Sequence, residues 1–344
     1  MADNITMSNA DVTDSLIFLC DEIFDFTTIS GVFFILIFIF SVTGNGLLLC
    51  VLVLYENLKN ATNLFVLNMA CSDLIFTITL PFWAVSYLHQ WVFGDFVCKF
   101  MTASYYVGLY SSIILLTALT VDRFITVVMH KFPNRVRRQW FAIGACVAAW
   151  IISISASVSN AVNVKVENTW NDIPICMDES PHVKLGYYLQ VSLLFFHPFA
   201  IIVFCYSAIL KIFFQYSNRK RHRTTVVMVL CIVAAFFICW GPYNMMIFTA
   251  TWYEPIGCKA QERFEMAFSI CQILAYSHCC MNPLLYMLSQ KLRRHLLHLL
   301  TSKTNRNGGN PSVISTFQNL SLIGQNSTVM SEMHSKLCQT LAHV

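Results

Sequence analysis

The chain has 344 residues, of which 56% are hydrophobic and only 12% charged, with a mean hydropathy of +0.60 and a formal net charge of +4. A soluble domain carries about twice that charged share, so a water-soluble fold is excluded. About 20 apolar residues in succession cross a bilayer core as a helix, and several runs here exceed that length.

Residues 1–28 are polar and acidic, with Asp3, Asp11, Asp14, Asp21, Glu22 and Asp25 against no Lys or Arg. They lack the basic start and short apolar centre of a secretory signal. Phe26 to Tyr55 then contains no Asp, Glu, Lys, Arg or His. Ala61 to Gly94 is broken only by Asp73 and His89, and Phe100 to Val121 has no Asp, Glu, Lys or Arg. Gln139 to Val164 centres on Trp150, and Leu185 to Leu210 contains His197-Pro198. Thr224 to Tyr253 contains Pro242, and Met266 to Gln290 contains His278 and Pro283.

These runs predict an all-α membrane protein with seven spanning helices over residues 29–288, because backbone polar groups in lipid must be satisfied within their own segment. The internal prolines are tolerable kinks in that setting. After the seventh run, "KLRRHLLHLL" puts Leu292, Leu296, Leu299 and Leu300 on one face against a basic complement. That pattern predicts an amphipathic helix over 289–300 lying in the inner interface. Residues 301–344 are rich in Ser, Thr, Asn and Gly, a composition that predicts a disordered tail. No internal repeat is visible.

Orientation follows from charge. With the N-terminus outside, the cytoplasmic side holds 17 of the 22 basic residues, a positive-inside bias. The outer side holds 14 of the 18 acids against 5 bases, a formal charge of −9. The chain therefore reads as a multi-pass membrane protein with its N-terminus on the outer side. Four cysteines fall outside (Cys20, Cys98, Cys176 and Cys258), and an even number in an oxidising compartment predicts two disulfides with three pairings open. The other ten read as small apolar residues. Asn4-Ile5-Thr6 is a glycosylation acceptor on the outer side, whereas the same tripeptide pattern at Asn60, Asn319 and Asn326 falls inside.

Ionisable groups at membrane depth are costly and mark function by default. Asp73 lies midway along the second run. It reads either as a protonated acid in a hydrogen-bond network or as a cation or proton site coupled to conformation. In "LTVDRFITVV", Asp122 and Arg123 close the third run at its cytoplasmic end; an isolated Arg there would only snorkel. His197 and His278 read as hydrogen-bonding core residues, since neither has a partner at metal-ligand spacing.

"VDRFITVV" resembles the Asp-Arg-Tyr motif of rhodopsin-like G-protein-coupled receptors, and each other run carries a matching element. These are Gly44-Asn45, "NMACSDL" with Asp73, Trp150, Pro198 with Tyr206, "CWGPY" from Cys239, and "NPLLY" from Asn282 to Tyr286. Seven motifs in order at helical spacing make a specific signal, spanning Cys20 to Leu300. "TLP" at Thr79, Trp83, "WVFGDFVCK" and "SHCCMNP", with the extra outer cysteine pair and the short loop "YSNRKRHRT", resemble the chemokine receptors. "RKRHRT", "WGPYN" and "AYSHCCMNP" are most similar to the XC-type branch, which answers lymphotactin.

The resemblance implies disulfides Cys98–Cys176 and Cys20–Cys258. It implies a basic chemokine as outer partner, an inhibitory-type heterotrimeric G protein inside, arrestin and receptor kinases at the tail, and no cofactor beyond an allosteric sodium ion. Membrane lipids complete the partners, and nucleic acid is not among them. Trp83, Tyr105, Tyr243 and Gln272 match ligand-pocket positions, and Asp73, Ser112 and Asn282 match the sodium site. Tyr206, Trp240, Asn282, Pro283 and Tyr286 match moving parts of the switch, with Asp122 and Arg123 as an ion-pair latch that frees the Arg on activation. Three departures stand out. Phe124 replaces the usual Tyr, Gln272 stands where most relatives carry Glu, and no Tyr precedes Tyr55 to be sulfated. Ligand capture is therefore expected to rest on acids, with Asp21, Glu22 and Asp25 nearest the Cys20 tether.

Two other classes fit less well. A transporter would show repeat symmetry, and a retinal pump would need a Lys within Met266 to Gln290, where there is none. A scavenger that internalises chemokine without G-protein signalling remains the alternative, against which the intact Asp122-Arg123 and Asn282-Pro283 weigh. Metalloprotease and serine-hydrolase motifs are absent, so the chain is not read as an enzyme.

Overall fold

The structure is a computed structural model that describes residues 26–129, 134–169, 172–178, 192–215, 220–250, 252, 253 and 255–287. The acidic segment up to residue 25, the expected interfacial helix and the tail lie outside the described residues. In chain order the helices are α1 (Phe26–Tyr55), α2 (Ala61–Thr77), α3 (Leu80–Leu88), α4 (Gly94–Val127) and α5 (Arg135–Val162). A hairpin of β1 (Val164–Asn168) and β2 (Pro174–Asp178) follows, then a π-helical turn (Ser192–Phe196) leading into α6 (His197–Gln215). The described chain ends with α7 (Lys220–Ala250), α8 (Cys258–Tyr276) and α9 (His278–Met287).

These elements make seven crossings, because α2 with α3 and α8 with α9 are each one interrupted span. Five spans among the described residues are long and apolar enough to cross a membrane unaided, and α6 adds a shorter apolar stretch, His197–Ile212. Phe34, Leu52, Phe65, Met69, Phe76 and Leu115 are shielded in the centre of the bundle. Phe40, Ile151 and Phe204 face outward, as a helix solvated by lipid permits.

The interruptions have local causes. Pro81 lies in the first turn of α3 and cannot donate to the preceding turn, so α2 stops at Thr77. Two hydroxyls add hydrogen bonds to carbonyls at this break: Thr77 Oγ1 donates to the Asp73 carbonyl at 2.5 Å and Thr79 Oγ1 to the Phe76 carbonyl at 2.7 Å. In the fifth span Pro198 likewise disturbs the turn before it, which loosens to the π form. Pro283 leaves the Cys279 carbonyl without its usual partner four residues on, and Asn45 Nδ2 donates to that oxygen at 2.8 Å. Gly44 makes this approach feasible, since a Cβ there would meet the Pro283 ring at 2.8 Å. Gly108 does the same between α4 and α2, where a Cβ would stand 2.6 Å from the Phe76 backbone nitrogen. Trp150 ties α5 to α2 by donating its indole N–H to Asn68 Oδ1 at 2.9 Å.

Several boundaries differ from the apolar runs. α8 starts at Cys258, well before Met266, and its early turns carry Lys259, Glu262, Arg263 and Glu265. The helix therefore continues beyond the hydrocarbon slab, where polar side chains meet water and an apolar criterion is blind. α4, α5 and α7 extend past their runs at polar ends for the same reason. The hairpin was not anticipated, because its strands "VKVEN" and "PICMD" are short and lie outside the membrane.

Candidate functional site

At the outer end, three of the four expected pocket residues converge. Tyr105 on α4, Tyr243 on α7 and Gln272 on α8 are all buried, and all border Tyr276, which the sequence reading missed. Gln272 Oε1 accepts from the Tyr87 hydroxyl at 3.1 Å, while its Nε2 donates to the Tyr276 hydroxyl at 3.3 Å. The amide thus has one end for each tyrosine, its oxygen accepting from Tyr87 and its nitrogen donating to Tyr276. Tyr276 is ringed by Phe34 at 5.0 Å, Phe76 at 5.3 Å, Tyr105 at 5.7 Å and Tyr243 at 6.4 Å between centroids. Trp83 is the exception, packing instead on Trp91 at 5.4 Å under the hairpin. The signal that could have exposed Tyr276 is its spacing of one helical turn from Gln272.

Below this cluster the rings continue inward. Trp240 lies 6.4 Å from Tyr276 and 5.1 Å from His278, and Phe76 lies 5.2 Å from His278. His278 Nε2 in turn stands 3.8 Å from Asp73 Oδ1. Asp73 is wholly buried and is the centre of a polar knot: Asn282 Nδ2 donates to Oδ2 at 2.7 Å and Ser112 Oγ to Oδ1 at 3.4 Å. A contiguous column of aromatic and polar side chains therefore joins Gln272 to Asp73.

A cavity of about 10 Å³, bordered by Ser112, His278 and Asn282, adjoins the knot; that is roughly the room one water needs. Among the described residues no group of three or more His, Cys, Asp and Glu is placed to hold a metal. Hard cations take oxygen donors, and the Asp73 carboxylate and Ser112 Oγ are the oxygen-bearing groups of the knot beside this cavity. Asn282 turns its nitrogen to Asp73 and steadies the carboxylate.

At the cytoplasmic end the expected latch has a different partner. Asp122 is fully buried and takes both its hydrogen bonds from Arg138 on α5, from Nε at 2.8 Å to Oδ1 and from Nη2 at 2.6 Å to Oδ2. Arg123 Nε is 4.0 Å from Asp122 Oδ2, and its Nη2 donates to Thr62 Oγ1 on α2. The neighbouring pair read from the sequence is thus the looser contact. A bidentate guanidinium–carboxylate pair is the stronger geometry, and it forms because a residue next in sequence cannot bring its fork square to the carboxylate, whereas α5 approaches from the side. Tyr206 is buried; the Tyr286 side chain lies outside the described set.

The outer cover is built on Cys98, which is bonded to Cys176. Cys98, Trp91, Met101 and Val164 form a small core beneath the hairpin. Trp91 N donates to the Pro174 carbonyl at 2.9 Å, and Val166 N to Asp95 Oδ1 at 3.2 Å. Cys258 is also disulfide-bonded. Its expected partner Cys20 lies outside the described residues, as do Asn4, Asp21, Glu22 and Asp25.

Residues 44–286 match the family described as "7 transmembrane receptor (rhodopsin family)". The chain is 38% identical to Chemokine XC receptor 1 of Homo sapiens over 282 residues, covering 80% of this chain and 82% of the relative. It is 39% identical to Chemokine XC receptor 1 of Mus musculus over 299 residues, covering 84% of this chain and 88% of the relative.

Proposed function

This chain belongs to the rhodopsin family of seven-transmembrane receptors, in its chemokine-receptor branch, and on that premise we propose that it binds a basic chemokine of the XC (lymphotactin) type outside and activates an inhibitory-type heterotrimeric G protein inside. It is a multi-pass plasma-membrane signalling receptor and not an enzyme. Calcium release and chemotaxis would be the cellular outputs.

The observation that carries this reading is the column from Gln272 through Tyr276, Trp240 and His278 to Asp73. A ligand shifts a receptor only as far as it binds one of its states better than the other. A chemokine tip entering among Tyr105, Tyr243 and Gln272 displaces rings that are packed against Trp240. That displacement is passed to the Asn282-Pro283 segment, where α9 lacks one backbone bond and is held by Asn45 instead. Movement of the inner helix ends then presents Arg123 to the G protein. A bound sodium ion, held by Asp73 and Ser112, would supply positive charge to a buried carboxylate. Residues 301–344 would serve as the platform for receptor kinases and arrestin.

Purified receptor in lipid nanodiscs with an inhibitory-type heterotrimer, challenged with lymphotactin, should accelerate nucleotide exchange. Binding and cellular uptake of lymphotactin with no exchange on any class of G protein would sink the proposal and leave the scavenger.

A further inference from the structure

We propose that the apolar run Leu16–Leu19, just ahead of Cys20, docks on an exposed apolar patch of the outer loop between α7 and α8, so that the free receptor covers this loop with its own N-terminal segment.

The patch is held in place by its backbone. Trp252 N and Tyr253 N both donate to the Thr249 carbonyl, at 3.0 and 2.9 Å, as the chain turns out of α7. Gly257 has a φ of +88°, a region that glycine enters readily, and its carbonyl accepts from Ala260 N and Gln261 N as α8 begins. Between these two turns Trp252 is 75% exposed, Tyr253 51% and Ile256 87%, and Tyr253 leans on Phe264 at 6.1 Å between centroids. Lipid accounts for an outward Phe40 or Ile151, but this loop stands beyond the spans, beside the charged Lys259, Glu262 and Arg263. Large apolar side chains gathered in one loop outside the membrane mark a surface that takes a partner.

A covalent tether identifies the occupant. Cys258 is disulfide-bonded, and Cys98 and Cys176 are bonded to each other. Nine further cysteines are free, so of the 14 in the chain only Cys20 and Cys338 are left for Cys258. Cys338 follows the seventh span and falls on the cytoplasmic side by the positive-inside bias, which leaves Cys20. The residues immediately before it read "LIFL", the longest apolar run within the acidic segment 1–25. Four residues of chain reach about 14 Å at most, and a disulfide adds about 6 Å between its Cα atoms. Ile256 lies two positions from Cys258 and Tyr253 five, so the run and the patch are kept within reach of each other. A tether this short makes the contact intramolecular, at an effective concentration on the order of millimolar. No partner free in solution has that advantage. A chemokine therefore meets an N-terminal segment whose apolar residues are already engaged.

The test uses full-length receptor in nanodiscs without chemokine, carrying the photoreactive p-benzoylphenylalanine in place of Phe18. Irradiation and peptide mapping should place the adduct within residues 252–264 of the same chain. Ile256→Ser, at an exposed position, should lower that adduct by about threefold or more, the scale of losing part of one buried aliphatic side chain. Cys20→Ser should lower it further by removing the tether. Val92→Ser, exposed elsewhere on the outer side, should match the parent. Adducts on lipid, on a second copy of the receptor, or spread over the outer face overturn the inference, as does a yield that Ile256→Ser leaves unchanged. Amide exchange gives a reading free of the unnatural residue. Replacing Ile17 and Phe18 by Ser should speed exchange across residues 252–257 several-fold and leave α8 beyond Phe264 unchanged; equal exchange in the two proteins overturns the inference.

Discussion

Gly108 and Arg123 show how much single positions decide in a bundle whose helices are apolar on every side. Adding a Cβ at Gly108 would place it 2.6 Å from the Phe76 backbone nitrogen, a contact that no side-chain rotation relieves. Gly108→Ala should therefore push α4 from α2 and cost about 1–3 kcal/mol, the usual range for overpacking. Thermal unfolding in detergent, compared with the parent receptor, reads this directly, and an unchanged midpoint would contradict the close approach. Arg123 is separated from the outer pocket by a helix length of about 30 Å. Arg123→Ala should lose G-protein activation while labelled-ligand binding persists. Normal signalling by a well-expressed Arg123→Ala receptor would remove the Arg from the mechanism.

Among elements, the hairpin is the one that the rest of the outer face depends on. It is joined to the top of α4 by Cys98–Cys176 and packs its Val164 with Trp91 and Met101. A bridge across a separation of 78 residues constrains the unfolded chain by about 4 kcal/mol. Cys98→Ser should consequently abolish surface expression, measured by antibody on intact cells. Cys20→Ser should leave folding intact and weaken ligand capture, because it releases only the N-terminal segment. Equal surface loss in both variants would show that the second bridge is structural as well. The paired interruption of α2 and α3, at Thr79 and Pro81, aims Tyr87 at Gln272; a straight helix would carry Tyr87 elsewhere.

For the whole molecule, charge sets how a ligand arrives and how a signal ends. The outer face sums to −9 with 14 acids against 5 bases, and such a field raises association rates of a basic protein by about 10 to 1,000-fold. Screening limits its reach to about 8 Å at physiological salt, so acids beside the docking site matter most. Neutralising Asp21, Glu22 and Asp25 to Asn or Gln should slow chemokine association and flatten its salt dependence, with dissociation changing less. If on-rate and salt slope both match the parent, the segment only keeps the chain soluble. Inside, twelve Ser and Thr follow Leu300, and each phosphate adds roughly −1.5 to −2 charge. Truncation after Leu300 should slow arrestin recruitment, and unchanged kinetics would count against a phosphorylation platform.

Seven crossings, their orientation and the buried acids were legible in the sequence, because lipid imposes a one-dimensional rule: apolar runs of spanning length, with basic residues kept inside. The motifs around Asp73, Asp122-Arg123 and Asn282-Pro283 were equally legible as positions. What each touches was not, since partners come from helices distant in sequence. Arg138 as the grip on Asp122, Tyr276 as the hub beneath Gln272, Asn45 as the substitute donor for Cys279, and Trp83 turned away to Trp91 all depend on how helices cross. The hairpin and the polar start of α8 escaped because they stand in water, where the hydropathy rule that served the spans says nothing. Hydropathy determined which segments enter the membrane; only packing decided which side chains meet there, because hydrogen-bond and ring geometry are set across helices and not along them.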